Sequence, residues 1–260
     1  MNEEQSAPEE RRPVVYVYGL VPADVEVKED ATGIGSPPRP LKIVTHDDVA
    51  ALVSEIDPNS PLGSSDDLRA HAAVLDATVT AAPVLPLRFG AVLTDTDAVV
   101  SELLEQYRDE FHDALEQLEG MVQFVVKGRY VEDAILREIL SDDPEAGRLR
   151  EAIRDQTEDV TRDERLALGE LISRALTGKR EQDTQRIVEA VEPVAAAVSA
   201  REPTDDEEAG SVAVLIPADR TDELEEAVAP LIDEWQGRID VTVTGPLAAY
   251  DFVKTRAPGT

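Results

Sequence analysis

The chain contains no cysteine, which excludes disulfide bonds, zinc–thiolate sites and thiol nucleophiles. Aromatic residues make up 4% of its 260 residues, and histidine occurs three times. No apolar run reaches the roughly 20 residues that a membrane-spanning helix requires. Residues 1–12 are polar and acidic, without the apolar segment of a secretory signal, and are predicted to be a disordered tail. These absences favour an intracellular protein.

Positive charge is also scarce. The chain has 55 Asp and Glu against 25 Lys and Arg, which gives a net charge of −30 and an isoelectric point near 4.3. Such a surface repels phosphate backbones and anionic lipid head groups, so we expect neither nucleic-acid binding nor membrane binding. Lysine is particularly rare among the basic residues. Adaptation to high salt and a high-GC genome account for this scarcity equally well.

Hydrophobic residues make up 42% of the chain, enough for a folded core. In the first half, residues 14–18, 41–45 and 49–56 are rich in β-branched side chains and predict strands. Apolar residues at helical spacing predict a helix that begins at Ser64 or Ser65, with Leu68 on its apolar face. They also predict one continuous helix over 99–118, ended by Gly120. This half, residues 13–120, is therefore predicted to be an α+β domain.

The second half, residues 121–260, is predicted to be another α+β domain. A strand at 121–127 is followed by a helical insertion over 131–200 and an acidic linker over 201–210. After the linker, the pattern changes to strand, helix and strand, ending with the alternating apolar residues of 239–243. The strand at 121–127 is expected to join these last strands in one small sheet.

The histidines do not form a recognisable catalytic or metal-binding motif. His46, His71 and His112 lack the spacing of zinc ligands, and no serine-nucleophile or calcium-loop motif occurs. His71 lies beside the apolar face of a predicted helix, where a partly buried histidine is usually satisfied by a hydrogen bond. We therefore predict no catalytic residue, no metal site and no cofactor.

Two short segments outside the predicted helices carry aromatic side chains. Arg88 and Phe89 precede Gly90, and Tyr250 and Phe252 follow the last predicted strand. Tyr250 and Phe252 either fold back as a plug over the C-terminal core or form an exposed patch for a partner protein. Arg88, Phe89, Tyr250 and Phe252 are the candidate partner-contact residues.

Three sequence blocks resemble the gas vesicle accessory protein F/L family (GvpF/GvpL). The first is the opening strand at 15–20, and the last is the Thr244-Gly245-Pro246 turn with the aromatic residues after it. The middle block is the most characteristic and combines Leu68-x-x-His71-x-x-Val74-Leu75 with the segment 83–90. The order and spacing of the blocks span nearly the whole chain.

The resemblance implies a two-domain α+β protein with ferredoxin-like elements and small antiparallel or mixed sheets. It also implies a non-enzymatic accessory or minor structural protein of gas vesicles. Such a protein is expected to bind the hydrophobic main shell protein, to assist nucleation of the vesicle, and to contact other accessory proteins. Its expected location is the gas vesicle, and the cytoplasm before assembly. The resemblance leaves open the F-like or L-like type, the stoichiometry and whether the protein stays in the finished wall.

A second hypothesis is a small-molecule-binding regulator or an enzyme built on ferredoxin-like domains, because this scaffold supports many functions. The absence of a catalytic motif and the family resemblance both favour the first hypothesis. A ligand-dependent shift in melting temperature would favour the second.

Overall fold

The computed structural model describes residues 12–157 and 160–253. The tail predicted over residues 1–12 therefore lies, except for its last residue, outside the described residues. The chain forms two compact units. Unit 1 comprises the chain up to Val122 and the segment from Pro246 onward, and unit 2 comprises Gln123–Gly245.

Unit 1 contains an antiparallel sheet in which the first strand is central. Its strand order is β2-β3-β1-β4, and β5 pairs with β1 beside β4. The three longer strands lie where the β-branched runs predicted them. The strands are β1 (Val14–Pro22), β2 (Lys42–His46), β3 (Val49–Ile56), β4 (Leu85–Pro86) and β5 (Val92–Leu93).

Strand β1 lies between β3 and the pair β4 and β5, and its residues 15–21 are buried on both faces of the sheet. Its register against β3 shifts between Val17 and Gly19, so Tyr18 occupies a bulge. Tyr16 and Tyr18 are both fully buried, and both belong to the core of unit 1. Two of the few aromatic residues of the chain therefore pack in the core of unit 1.

The first helix, α1 (Ser65–Val79), begins with a capping box. The Ser64 side chain accepts a hydrogen bond from the Asp67 amide, and the Asp67 carboxylate accepts one from the Ser64 amide. The buried face of α1 contains His71, Val74 and Leu75, whereas Leu68 is 48% exposed. The apolar face is thus rotated from the one predicted through Leu68.

The continuous helix predicted over 99–118 is interrupted. A short helix, α2 (Thr96–Ala98), leads into a π-helical segment, Val99–Leu104, and α3 (Arg108–Gln117) follows. Within the π segment the Glu105 amide donates to the Val100 carbonyl, five residues earlier, where an α-helical bond would span four residues. Tyr107 then leaves the helical conformation, with φ −123° and ψ 19°.

Unit 2 has an antiparallel sheet with the order β7-β8-β6-β9. Along the chain, the elements alternate as strand, helices, two strands, helix and strand, which is the ferredoxin-like arrangement and confirms the predicted fold class. The strands are β6 (Met121–Tyr130), β7 (Ala197–Ala200), β8 (Glu208–Pro217) and β9 (Ile239–Leu247). The helices are α4 (Glu132–Asp142), α5 (Pro144–Ile153), α6 (Arg162–Val191) and α7 (Thr221–Glu234).

The structure shortens the predicted helical insertion and the predicted linker. The insertion over 131–200 ends in strand β7, which pairs with β8. The linker over 201–210 is exposed only to residue 207, because β8 begins at Glu208. Glu208 is 1% exposed, and its carboxylate is compensated by Lys127 at 2.5 Å and by the Thr204 hydroxyl at 2.8 Å. A buried ion pair thus allows an acidic residue to start a central strand.

The end of the chain also differs from the predicted domain 121–260, since the segment from Pro246 packs within unit 1. Ala248 is fully buried in the core of unit 1, and its amide donates to the Asp76 carboxylate at 3.1 Å. Two small side chains, Ala248 and Ala249, make this close packing possible.

Among residues 12–157 and 160–253, every helix is too short or too polar to span a lipid bilayer.

Candidate functional site

A cluster of aromatic rings surrounds His71 in unit 1. The His71 ring lies 5.8 Å from the Tyr16 ring, 5.7 Å from the Tyr18 ring and 5.7 Å from the Phe89 ring, measured between centroids. The Tyr250 ring lies 6.5 Å away. Helix α1, strand β1, the segment after β4 and the C-terminal segment therefore each contribute to one cluster. We call Tyr16, Tyr18, His71, Phe89 and Tyr250 the aromatic cluster.

Hydrogen bonds fix the His71 ring at the centre of the cluster. Its Nε2 lies 3.2 Å from the Leu87 carbonyl, which only accepts, so Nε2 carries the hydrogen. Its Nδ1 then accepts from the Tyr16 hydroxyl at 2.8 Å. The Tyr16 hydroxyl in turn accepts from the Gly90 amide at 3.3 Å. This confirms the prediction that His71 is a buried histidine satisfied by hydrogen bonds.

Burial lowers the pKa of His71 below its usual value, although the hydrogen bond to Leu87 opposes the shift. Burial also raises the pKa of the Tyr16 hydroxyl far above its usual value. His71 is therefore neutral and Tyr16 protonated near pH 7. Neither group is free to act as a base or a nucleophile.

Tyr18 is fixed in the same way. Its hydroxyl donates to the Ser54 hydroxyl at 3.0 Å and accepts from the Ile34 amide at 2.9 Å. The Ser54 hydroxyl donates a hydrogen bond to the Pro40 carbonyl at 2.9 Å. The loop between β1 and β2 is thus fastened to the sheet through a tyrosine side chain. All of these polar groups are satisfied, so the inner part of the cluster is structural.

The outer part of the cluster is formed by Phe89 and its neighbours. Phe89 is half-buried against the core, and Arg88 before it is exposed. Gly90 follows with φ +96°, a left-handed conformation that glycine adopts without strain. This turn directs the Gly90 amide to Tyr16 and leaves Arg88 and Phe89 at the rim.

The C-terminal segment supplies the other side of the rim. Tyr250 is 38% exposed, and Phe252 is half-buried. Burial raises the pKa of the Tyr250 hydroxyl above its usual value, and the nearby Asp76 carboxylate adds to this effect. Burial likewise raises the pKa of Asp76, opposed by the hydrogen bond from the Ala248 amide. The segment is thus held to α1 by a backbone contact and a ring contact.

The structure brings two of the four predicted contact residues together, since Phe89 and Tyr250 both pack against His71. Arg88 lies next to Phe89 and is exposed, and within the described residues no ring contact joins Phe252 to the cluster. Sequence reasoning missed Tyr16, Tyr18 and Asp76 as supports of this site. The alternation of two tyrosines on β1 was the available signal, because residues two apart share a face of a strand.

The rings of Phe89 and Tyr250 are the partly exposed part of this arrangement. Among the described residues, no group of three or more acidic or histidine side chains is placed to hold a metal ion. A rim of partly exposed aromatic rings on a rigid, hydrogen-bonded base is typical of protein-contact surfaces.

Comparison with known proteins agrees with this description. The family model described as "Gas vesicle synthesis protein GvpL/GvpF" matches residues 14–254. The chain is 32% identical over 240 residues to gas vesicle protein F of Streptomyces sp. (strain CB03234), covering 92% of this chain and 99% of that protein. It is 36% identical over 125 residues to gas vesicle protein L of the same strain, covering 43% of this chain and 46% of that protein.

The fold is also similar to a solved structure. The crystal structure of the gas vesicle protein GvpF from Anabaena sp. PCC7120 superposes with a TM-score of 0.75 at 23% identity, covering 94% of this chain and 99% of that chain. The family match spans both units and includes the residues of the aromatic cluster. The chain therefore belongs to the GvpL/GvpF family of gas vesicle proteins.

Proposed function

We propose that this chain is a non-enzymatic gas vesicle protein that binds the hydrophobic main shell protein and assists nucleation of the vesicle. It acts in the cytoplasm before assembly and at the gas vesicle during assembly, together with other accessory proteins. Membership of the family supports the gas vesicle role. The observation that supports binding is the rim of Phe89 and Tyr250 around a neutral, fully hydrogen-bonded His71.

The physical reason is the solubility of the shell protein. An apolar surface that is free before assembly is prone to aggregate, and a soluble partner that covers it keeps it available. A net charge of −30 on the partner keeps the complex dispersed. The contact itself is apolar, so we expect it to survive molar salt, where charge pairing is screened.

The test is co-purification of the full chain with the shell protein at 0.1 M and at molar KCl. The variants are Phe89→Ala and Tyr250→Ala, each checked by circular dichroism. A chain truncated after Pro246 is unsuitable, because it also removes the buried Ala248 and Ala249. The matched control is Leu166→Ala on α6, which removes an apolar side chain that is 59% exposed.

We expect the wild type and Leu166→Ala to retain the shell protein at both salt concentrations. Phe89→Ala and Tyr250→Ala, still folded, should retain it at least about tenfold less. Failure of the wild type to bind at either concentration would overturn the proposed function. Binding by the wild type that neither rim variant weakens would overturn the assignment to this rim.

A further inference from the structure

A groove runs along the exposed side of α1 in unit 1 and continues to α3. One part of it is a cavity of about 350 Å³, and the adjoining part is a cavity of about 620 Å³. Both are lined by Val25, Glu26, Ala81 and Ala82, so they form one continuous depression. Helix α1 contributes to both the groove and the aromatic cluster, but Phe89 and Tyr250 do not line the groove.

The smaller part of the groove is apolar. Ala73 and Ala77 of α1 form its floor and are exposed to solvent, and Val25, Val27 and Leu41 form the opposite wall. Alanine side chains allow the backbone of a partner helix to come close, since the distance between packed helices depends on the side chains at the contact. Exposed alanines at helical spacing, opposite aliphatic side chains, therefore suit a segment with small apolar residues along one face.

The larger part of the groove is acidic at its rim. Five carboxylates line it, from Asp24, Glu26, Asp48, Glu116 and Glu119. Among the described residues, Asp24, Glu26 and Glu119 form no ion pair. These three carboxylates are thus available to a cation from outside the unit.

The basic side chains already present at this end contact other carboxylates. Arg108 Nε binds the Asp48 carboxylate at 2.8 Å, and His112 lies between Asp48 at 2.8 Å and Glu116 at 3.3 Å. At the apolar end the charged lining residues are Glu26 and Lys28, one of each sign. The charge of the groove therefore changes from one end to the other, and a partner would be oriented by it.

We propose that this groove is a second docking surface, which takes an amphipathic segment of a partner protein with small apolar side chains along one face and Lys or Arg at one end. The basic end lies beside Asp24, Glu26 and Glu119, and the apolar face covers Ala73 and Ala77. This contact differs from the apolar rim in that it weakens with salt. The groove and the rim share no lining residue, so we treat them as two distinct contacts.

The test uses synthetic 16-residue helical peptides with an alanine and leucine stripe. One peptide carries three lysines in its last turn, a second carries them in its first turn, and a third has three glutamates instead. Binding to the full chain is followed by fluorescence anisotropy at 0.1 M salt. We expect one of the lysine peptides to bind at least about tenfold more tightly than the glutamate peptide, and this difference to shrink in 1 M salt.

Variants locate the contact. Ala77→Glu places a charged side chain on the groove floor, and its control is Ala167→Glu on the exposed face of α6. Asp24→Asn with Glu119→Gln removes two unpaired carboxylates from the acidic end, and its control is Glu170→Gln with Glu181→Gln. Only the groove variants should weaken the lysine peptide, by about tenfold, and amide shifts on binding should be confined to α1, α3 and the 24–32 loop.

The proposal is overturned if no peptide binds, if the lysine and glutamate peptides bind alike, or if the groove variants and their controls behave alike. Shifts outside the groove would overturn it as well. None of these outcomes bears on the shell-protein proposal, because the shell protein is absent from the experiment.

Discussion

At the scale of single residues, His71 connects several segments of unit 1 by hydrogen bonds. It links α1 to β1 through Tyr16, and to the segment after β4 through the Leu87 carbonyl. The bond from the Tyr16 hydroxyl requires the neutral ring, because a protonated Nδ1 has no lone pair to accept it, whereas the bond from Nε2 to the Leu87 carbonyl persists in either state. The stability of unit 1 should therefore depend on pH through this one side chain.

The first prediction concerns that dependence. The native pKa of His71 lies below its usual value of 6.5, so below pH 6.5 the unfolded chain binds a proton that the native chain does not. The stabilisation is fully present above pH 6.5 and is lost as the pH falls toward the native pKa. Urea unfolding between pH 7.5 and 5.5 should show the wild type losing more unfolding free energy than His71→Gln.

The control for this experiment is His112→Gln, which replaces a surface histidine paired with Asp48. This variant should keep the acid loss that His71 causes. A His71→Gln variant that still shows the full wild-type loss would place the titrating group elsewhere.

The second prediction concerns Gly33. A Cβ added to Gly33 would lie 1.9 Å from the Tyr18 hydroxyl oxygen, so Gly33→Ala must displace that hydroxyl. The displaced hydroxyl loses its bonds to Ser54 and Ile34 in a buried place, which should cost about 2–4 kcal/mol of unfolding free energy. Gly169→Ala on α6 meets no atom within 4 Å and should stabilise the chain by about 0.5–1 kcal/mol. Equal effects of the two substitutions in urea unfolding would contradict the contact.

At the scale of elements, local patterns predicted most of the strands and helices, because β-branched runs and helical spacing are local properties. Strand β7 was missed because its sequence, Ala-Val-Ser-Ala, is short and has no pattern specific to a strand. It therefore could not be distinguished from the helix before it. The start of β8 at Glu208 was missed because its burial depends on Lys127, far away in the chain. The place of Ala248 within unit 1 rests on a hydrogen bond to Asp76, which no local pattern reveals.

The candidate site was predictable to a similar degree. Phe89 and Tyr250 were singled out because aromatic side chains are rare outside the predicted helices. Their meeting at His71 is a tertiary contact between residues far apart in the chain. The inward direction of Tyr16 and Tyr18 depends on a strand buried on both faces, which the sequence of β1 alone does not establish.

The third prediction concerns the segment between β7 and β8. Residues 201–207 are exposed and contain Glu202 and Glu207, whereas Glu208 is buried. Limited digestion with a Glu-specific protease should therefore cut after Glu202 or Glu207 before other interior sites. The cut chain should stay together, because β8 lies between β7 and β6 in the sheet. Release of a separately folded fragment beginning near Ser211 would contradict this.

At the scale of the whole molecule, charge is the dominant feature. Most ion pairs among the described residues have exposed partners, and such pairs add little to stability. They also leave the large excess of carboxylates unpaired, so the net charge of −30 opposes compaction. The exceptions lie inside unit 2, where Arg238 bonds Asp183 at 3.0 Å and Glu138 at 2.6 Å. Salt should strongly screen the repulsion between surface carboxylates. It should only weakly screen the attraction between the partly buried charges of this cluster.

The last prediction follows from that difference. The Debye length falls from about 30 Å at 0.01 M salt to about 3 Å at 1 M, so repulsion between surface carboxylates is lost over this range. The melting temperature should therefore rise by several degrees between 0.01 M and 1 M KCl, with much of the rise below 0.3 M.

A variant with Asp24→Asn, Glu119→Gln, Glu170→Gln and Glu181→Gln has a net charge of −26 in place of −30. It should melt higher than the wild type in 0.01 M KCl and gain less from added salt. The same curves in sucrose of equal osmolality separate screening from solvent exclusion. A melting temperature independent of KCl would show that repulsion does not limit stability, and would leave genome composition as the reason for the scarcity of lysine.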